Sequence, residues 1–268
     1  MRKYLAGFVV AALAIGLVGT AIGGPTPIVQ SISGPKLKPT KLNKKKKKNA
    51  SLTVKTSLDP VVDGGPIPQK ATLVNVDFGK NISLNHKATK VCKDSVDELA
   101  GTTRSAALDL CGKSKVSKDG STISPGRAGA AGVKATKGSM ASAALPFGPG
   151  GTAVKFPVDV MAFNGGKKVL ALWTRVPALS VTTILPGALE KAPGKKFGTR
   201  LAVTVPPLAG GTGALDEFQA QVKKKDYVQA NCKSNKKKTP IKGAFTFSDA
   251  PSVTVKDSSK IKKCNKNK

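Results

Sequence analysis

Apolar and polar residues alternate with a period of two along several short stretches of this chain. The stretches that show the alternation are residues 52–58, 74–78, 154–162, 201–205 and 218–222. Such alternation is typical of β-strands that bury one face and leave the other in water. Residues 169–173, VLALW, are apolar throughout, which indicates a central strand covered on both faces. The hydrophobic pattern therefore predicts a β-rich fold.

Glycine and proline separate these stretches. The chain holds 28 Gly and 18 Pro in 268 residues, and both residue types interrupt regular structure, which disfavours long helices. Residues 164–167, Asn-Gly-Gly-Lys, have the composition of a hairpin turn. Shorter candidates near the C-terminus bring the total to roughly ten to twelve strands, a number that favours a sandwich. We therefore predict an all-β fold, a β-sandwich of the immunoglobulin-like or jelly-roll-like kind.

A short helical insert interrupts the strands between the first two cysteines. Residues 95–98, Ser-Val-Asp-Glu, match a capping box, in which the Ser and Glu side chains each bond the other residue's backbone N–H. Gly101 ends that turn, and Thr103 is placed to cap a second helix over residues 104–111. Gly112 is predicted to take the left-handed conformation after this helix.

The first 23 residues have the pattern of a secretion signal. Arg2 and Lys3 precede an apolar run, and residues 21–23, Ala-Ile-Gly, form a small-x-small cleavage site. An uncleaved N-terminal anchor is the alternative, although the apolar run is near the lower length limit for spanning a bilayer. Cleavage predicts a secreted or cell-envelope associated, extracytoplasmic protein without a transmembrane span.

Charge and composition divide the mature chain. Residues 24–50 contain Pro35, Pro39 and the five consecutive lysines 44–48, so we predict a disordered Lys-rich tether. Residues 51–268 then form the β-sandwich domain. It is either one unit or two subdomains divided near residues 117–152, where Gly, Ala, Ser and Lys are frequent.

The chain has four cysteines, Cys92, Cys111, Cys232 and Cys264. An even number in an exported chain suggests two disulfides, for which three pairings are possible. Proximity in sequence favours Cys92–Cys111 and Cys232–Cys264. Zinc binding is disfavoured because no two cysteines lie two to four residues apart and His86 is the only histidine. We predict no metal and no cofactor.

The chain is strongly basic. Its 45 Lys and Arg against 15 Asp and Glu give a formal charge of +30, and removal of the signal leaves 43 basic residues and +28. Such a charge attracts polyanions. The predicted contact residues are Lys44, Lys45, Lys46, Lys47, Lys48, Lys236, Lys237 and Lys238. The alternative is that these lysines only solvate the chain.

Specific nucleic-acid binding is not predicted. Single-stranded nucleic acid is held on aromatic side chains placed among basic ones, and the mature chain has one Trp and one Tyr. Trp173 lies in the most apolar strand, which assigns it to the core. Lysine also outnumbers arginine heavily, and a lysine is a hydrated point charge suited to diffuse contact.

No catalytic residue can be nominated. A Ser-His-Asp site would have to use His86, and the chain has no Gly-x-Ser-x-Gly motif. The acidic pairs Asp59 and Asp63, and Asp216 and Glu217, lack the spacing of a calcium loop, so solvated pairs are favoured. Hydrolysis by two carboxylates stays open, because sequence alone does not pair them.

Several motifs together resemble a group of secreted bacterial proteins common in actinobacteria. The motifs are PTKL with the lysines after it, LVNVDFGKN, the cysteines around a small helix, the paired strands from Phe156 to Trp173, RLAVTVPPLAGGTGAL, and a final cysteine pair around FTFSDAPSVTV. Members of this group carry two disulfides and are predicted β-sandwiches. The resemblance covers nearly all of the mature chain and implies the same fold and an exported location. It implies no activity.

Three hypotheses of function follow. The leading one is an exported, non-enzymatic protein that associates with an anionic polymer of the cell envelope, a membrane surface or an extracellular polyanion. The second is an extracellular hydrolase or carbohydrate-active enzyme with unidentified carboxylates. The third is an inert structural module whose lysines keep it soluble. The sequence does not indicate an oligomeric state.

Overall fold

A computed structural model of the protein describes residues 30–57, 67, 69–93, 96–119, 139–232, 238–248 and 250–265. The predicted signal peptide at residues 1–23, the capping residue Ser95 and the predicted contact lysines Lys236 and Lys237 lie outside the described residues.

The described residues form short strands and two short helices. Their bounds are β1 Ser31–Lys38, β2 Lys41–Asn43, β3 Lys48–Asn49, β4 Ser51–Ser57, β5 Ala71–Gly79, β6 Ile82–Leu84, α1 Val96–Leu99, α2 Arg104–Cys111, β7 Met140–Leu145, β8 Val154–Asn164, β9 Val169–Val176, β10 Val181–Lys191, β11 Phe197–Thr204, β12 Ala214–Val222, β13 Val228–Ala230, β14 Lys238–Phe247, β15 Val253–Lys260 and β16 Lys263–Asn265.

The largest sheet has eleven strands in the order β1-β4-β12-β7-β8-β9-β10-β11-β5-β14-β15. Every neighbouring pair in it is antiparallel. Strands that precede residues 117–152 (β1, β4 and β5) lie on either side of strands that follow them, so both parts of the chain build one sheet. Two small sheets, β3-β13-β6 and β16-β2, lie beside it.

The large sheet rolls up until its two edge strands lie side by side. β1 packs beside β15, and the Gly34 N–H donates to Asp257 Oδ2 at 3.0 Å. The inner face then encloses the main core, which includes Leu52, Val76 and Leu172 from three different strands. The prediction of an all-β fold with a Cys-bracketed helical insert is confirmed. The large sheet is rolled, so its two walls face each other across one core.

Strand β9 is buried on both faces, as its apolar sequence predicted. Leu170 and Leu172 belong to the inner core. Ala171 and Trp173 belong to a second cluster on the outer face, where the helical insert contributes Leu99, Ala107 and Cys111. Trp173 is 0% exposed, and its Nε1 donates to Thr102 Oγ1 in the insert at 3.1 Å. Its assignment to the core is confirmed.

The second helix of the insert begins where the sequence predicted. The Thr103 side chain accepts from the Ala106 N–H at 3.3 Å, as a capping residue does. Gly112 was predicted to be left-handed, and this is wrong. Its φ is −60° because the chain continues directly into a 3-10 turn over Gly112–Ser114. The Cys92–Cys111 disulfide, which joins the two ends of the insert, is confirmed.

Residues 30–50 do not form a disordered tether, so this prediction is wrong for them. Strand β1 pairs with β4, and its Ile32 and Leu37 are buried. Proline is tolerated because β1 is an edge strand with an irregular register between Ser33 and Lys36. The lysines of this segment project into water while alternate apolar residues enter the core. The lysine content therefore led to the wrong prediction of disorder.

A buried carboxylate joins three neighbouring strands on the outer face. Asp77 on β5 lies opposite Arg200 on β11 and Lys242 on β14. Its oxygens accept from Arg200 Nε at 2.6 Å and Nη2 at 3.1 Å, and Lys242 Nζ lies 2.8 Å away. Burial opposes ionisation, but hydrogen bonds and charge from the two basic side chains outweigh it and lower the pKa of Asp77.

Candidate anion-binding surface

The strand order gathers lysines at one end of the rolled sheet, which we call the lysine-rich end. In an antiparallel sheet, every second connection lies at the same end. The connections from β1 to β4, β8 to β9, β10 to β11 and β12 to β14 all lie here, with the ends of β5 and β15. The described lysines at this end are Lys41, Lys44, Lys45, Lys46, Lys47, Lys48, Lys80, Lys167, Lys168, Lys191, Lys195, Lys196, Lys223, Lys224, Lys225, Lys238, Lys260, Lys262 and Lys263.

The connections at the opposite end of the sheet contain almost no basic residues. Its connections at 146–153, 177–180, 205–213 and 248–252 contain no Lys or Arg, and the connection from β4 to β5 contains only Lys70. The antiparallel topology therefore separates lysine-rich connections from lysine-poor ones, a polarity that the linear order of the chain conceals.

The two small sheets hold the segment 41–48 against the C-terminal lysines. β2 runs parallel to β16 with Lys41 opposite Lys263, and the Lys44 N–H donates to the Asn265 carbonyl at 3.1 Å. Leu42 between these lysines is 0% exposed, so it anchors the segment in the core. Two basic segments that are far apart in sequence thus lie side by side.

The second disulfide fixes this arrangement. The Cys232–Cys264 bond is confirmed, and the Cys232 N–H donates to the Asn43 carbonyl at 2.9 Å. The bond joins β16 to the segment after β13, while β13 itself pairs with β3 through Ala230 and Lys48. The lysines at this end therefore project from a cross-linked surface.

Most of the predicted contact lysines that the structure describes are exposed. Lys45, Lys46, Lys47 and Lys48 are exposed and Lys44 is half-buried. Lys238 is exposed as well and lies opposite Lys260 across β14 and β15. The structure thus brings Lys44–Lys48 and Lys238 to the same end.

Few acids lie near these lysines. Residues 30–57 and 227–248 contain no Asp or Glu. Glu190 and Asp226 are near this end, and Asp257 accepts from the Gly34 N–H. The described ion pairs use Lys55, Arg104, Lys115, Lys155, Arg200 and Lys242. Among the residues that the structure describes, no lysine of the lysine-rich end forms an ion pair.

Sequence reasoning missed most of this surface. It nominated Lys44–Lys48 and Lys236–Lys238 and passed over Lys80, Lys167, Lys168 and the lysines at 191–196. A signal was present, because these lysines stand beside Gly or Pro in the predicted turns, and turns on alternate strands share an end. Reading that signal requires the strand order, which no local pattern supplies.

The surface suits diffuse contact with anions better than shaped recognition. Lysine carries a flexible, hydrated ammonium group. Of the aromatic residues that could serve as stacking platforms, Trp173 and Tyr227 are 0% exposed, and Phe147, which is 58% exposed, lies in a connection at the opposite end. Phe197 at the lysine-rich end is half-buried, and Lys242 Nζ lies 5.5 Å from the centroid of its ring. Contacts at this end therefore depend on charge density.

The acidic pair Asp216 and Glu217 is not solvated, contrary to the sequence interpretation. Asp216 is 1% exposed and accepts from Ser142 Oγ at 2.8 Å, with Lys155 Nζ at 3.1 Å. Glu217 lies 2.9 Å from Lys55 Nζ. Each carboxylate therefore has a cationic neighbour, which lies on β8 for Asp216 and on β4 for Glu217.

Other candidates for chemistry are dispersed. His86 lies in a 3-10 turn, and its carbonyl accepts from Asn164 Nδ2 at 2.8 Å. Burial raises the pKa of Asp159, while the charges of Arg104 and Arg175 oppose that effect. Within the described part of the chain, no three His, Cys, Asp or Glu side chains are grouped so that they could hold a metal ion.

The fold and this surface define a class: an all-β, two-disulfide protein with a polarised basic surface. In comparisons with known proteins, the chain matched no family model, no curated protein and no solved structure. None of the helices in the described ranges is long and apolar enough to cross a bilayer.

Proposed function

We propose that the protein is an exported, non-enzymatic binding protein. It holds an anionic polymer of the cell envelope, or another extracellular polyanion, at its lysine-rich end. The observation that carries this proposal is the separation of charge along the sheet. Among the described residues, lysines that form no ion pair lie together at one end, and the connections at the other end contain only Lys70. The two disulfides support an oxidising, extracytoplasmic location.

The spacing of the lysines makes their charges act together. Successive Cα atoms are about 3.8 Å apart, and the screening length is about 8 Å at physiological ionic strength. Lys44–Lys48 therefore lie within a few screening lengths, beside Lys263 and its neighbours. A polyanion that binds there releases condensed counterions, so the affinity falls steeply as salt rises.

Chromatography on heparin and on immobilised long-chain polyphosphate tests this proposal. We compare the wild type with a variant in which Lys44–Lys48 are changed to Gln. A charge-matched comparison changes two lysines at a time to Gln: Lys46 and Lys47 at the lysine-rich end, against Lys70 and Lys256, which lie in the connection from β4 to β5 and in the middle of β15. The Lys44–Lys48 variant should elute at clearly lower salt than the wild type, and the Lys46/Lys47 variant at lower salt than the Lys70/Lys256 variant, while all of them keep the wild-type melting temperature.

A second variant, Lys236–Lys238 changed to Gln, extends the test to the start of β14. It should weaken retention further when combined with the first variant. If the Lys70/Lys256 variant loses as much retention as the Lys46/Lys47 variant, binding follows net charge alone and the surface assignment fails. If the wild type elutes at low salt, the lysines are a solvating coat and the inert-module alternative holds.

Binding to anionic lipid vesicles distinguishes a polymer ligand from a membrane surface. Vesicles with phosphatidylglycerol present the same charge on a flat surface. Tighter binding to soluble polyphosphate than to these vesicles, compared at equal phosphate concentration, supports a polymer as the ligand. The reverse order would assign the lysine-rich end to the membrane.

A further inference from the structure

Two pairs of lysines lie directly opposite each other at the lysine-rich end, and we call them the opposed lysine pairs. Lys238 on β14 pairs with Lys260 on the antiparallel strand β15. Lys41 on β2 pairs with Lys263 on the parallel strand β16. All four side chains are exposed. Directly opposite residues share one face of a sheet, so each pair carries two ammonium groups on strands that lie about 4.8 Å apart.

Buried neighbours fix the direction of these side chains. Thr239 and Leu42, which follow Lys238 and Lys41, are both 0% exposed. Because successive side chains of a strand alternate between its two faces, burial of these neighbours turns the lysines outward. Lys263 is followed by a disulfide-bonded cysteine. The core and a covalent bond therefore hold the opposed lysine pairs in place.

The two pairs lie close to each other. Lys260 and Lys263 are three residues apart in the chain, so their Cα atoms are at most about 11 Å apart. This distance is comparable with the screening length of about 8 Å in physiological salt. One bound polymer can therefore contact both pairs with neighbouring parts of its chain.

A third lysine pair shows how the protein compensates such charges elsewhere. Lys242 lies opposite Lys256 on β14 and β15, and Asp77 on the next strand lies 2.8 Å from Lys242 Nζ. Like charges directly opposite destabilise a sheet, and here a carboxylate offsets that repulsion.

The opposed lysine pairs have no such carboxylate. Among the described residues, no acid forms an ion pair with any of their four lysines. Asp257 is three residues from Lys260, which places it on the other face of β15, and it accepts from the Gly34 N–H. The repulsion within each opposed pair is therefore left for a ligand to offset.

Given the polyanion binding proposed above, on which this inference rests, we propose that each opposed lysine pair binds two neighbouring charges of one polymer. The lysine-rich end then prefers phosphate polymers to polymers with isolated carboxylates. Polyphosphate is charged at every phosphate, so adjacent phosphates reach both ammonium groups of a pair. Hyaluronate has one carboxylate per disaccharide, so it presents a single charge to each pair and offsets less of the repulsion.

Calorimetric titration with polyphosphate and with hyaluronate tests this preference. One variant changes Lys238 and Lys260 to Gln and so removes one opposed pair. The matched control changes Lys80 and Lys167 to Gln, two exposed lysines of the same end in different connections, and removes the same charge. The polyphosphate-to-hyaluronate affinity ratio should fall about fivefold in the pair variant, the worth of about one surface lysine. In the control it should stay within about twofold of the wild type.

Thermal unfolding adds a readout that changes sign. In the free protein, Lys260→Gln should raise Tm by about 1–3 °C, because it removes a like-charge contact. In saturating polyphosphate the same variant should have a lower Tm than the wild type, because it has lost a contact with the ligand. Lys80→Gln should give no such reversal. Lys41→Gln repeats the test on the second pair and should behave as Lys260→Gln does.

The outcomes separate this inference from the proposed function. If both polymers bind but the affinity ratio falls equally in the pair variant and the control, the opposed lysine pairs have no special role and the inference is overturned. A lower Tm of free Lys260→Gln overturns it as well. In both cases the polyanion proposal stands. If the wild type binds neither polymer, the proposed function fails and this inference fails with it.

Discussion

Replacement of Asp77 by Asn tests the buried ion cluster on the outer face. The change keeps the side-chain volume and removes the negative charge that Arg200 and Lys242 share. Asparagine offers one acceptor oxygen, and its NH₂ group would face two cations. The variant should therefore fold with lower stability and an unchanged strand order.

The contacts in the structure set the size of the loss. Three nitrogens lie 2.6, 2.8 and 3.1 Å from the Asp77 oxygens, and hydrogen bonds to charged groups contribute about 1.5–3 kcal/mol each. The Arg200 and Lys242 side chains are 21% and 20% exposed, so water recovers part of their hydration after the change. We expect a net loss of about 2–4 kcal/mol, or roughly 4–16 °C in Tm.

The loss should depend on pH in a defined direction. The pKa of Asp77 is lowered in the folded protein, so folding favours the ionised form. This stabilisation is complete above the unfolded pKa of about 3.9 and disappears as the pH falls through the lower folded value. The stability difference between wild type and Asp77→Asn should therefore be largest at neutral pH and shrink in strong acid.

Urea denaturation at pH 7 and at pH 2.5 measures both effects. The matched control is Asp119→Asn, because Asp119 also has two basic partners, Arg104 and Lys115, but is 44% exposed. Its loss should stay below about 1 kcal/mol, as for exposed ion pairs. Equal losses for the two variants, or a loss for Asp77→Asn that is the same at both pH values, would refute the argument.

Three further predictions concern the backbone, the core and the insert. Gly34→Ala should lower stability by about 2–4 kcal/mol, seen as a reduced Tm, because φ is +112° and a Cβ would lie 2.8 Å from the Thr53 carbonyl. Tyr227→Phe should raise stability by about 1–2 kcal/mol in urea denaturation, since Tyr227 is 0% exposed and none of the described residues pairs with its hydroxyl; a decrease would show that the hydroxyl has a partner. Replacing Cys92 and Cys111 by Ser, a pair 19 residues apart, should cost roughly 3 kcal/mol on the chain-entropy account; calorimetry that showed no change would contradict it.

The sequence predicted those strands in which apolar residues alternate with polar ones, or follow one another, over the whole length of a short segment. Residues 154–162 alternate and form most of β8, and residues 169–173 are apolar and form the doubly covered part of β9. The insert was predictable for the same reason, since Thr103 and the two cysteines act over short distances. Both disulfides followed from proximity.

The strands that sequence reasoning missed carry residues that usually end strands. β10 contains Pro186 and Gly187 in its interior, two residue types that disfavour a continuous strand. Gly187 is required there because a Cβ would come 2.9 Å from the Leu170 carbonyl on β9. β1 contains Gly34-Pro35 and several lysines. In both strands tertiary pairing overrides local preference, and local patterns do not carry that information.

The polarity of the surface depends on long-range structure as well. The lysines of the lysine-rich end come from six regions of the chain and meet only because the strands are antiparallel in one order. Length, charge and composition could predict attraction to anions, but they could not predict which surface exerts it.

The seam between β1 and β15 sets the order in which the protein can be completed. It joins Gly34 to Asp257 across 223 residues, and the chain is made from its N-terminus. Strand β1 can pair with β4 early, but its other side stays open until the last long strand arrives. An open edge of this kind can pair with the same edge of another copy. A chain that stops before β15 is therefore a template for swapping and aggregation, so the final strand governs solubility as well as shape.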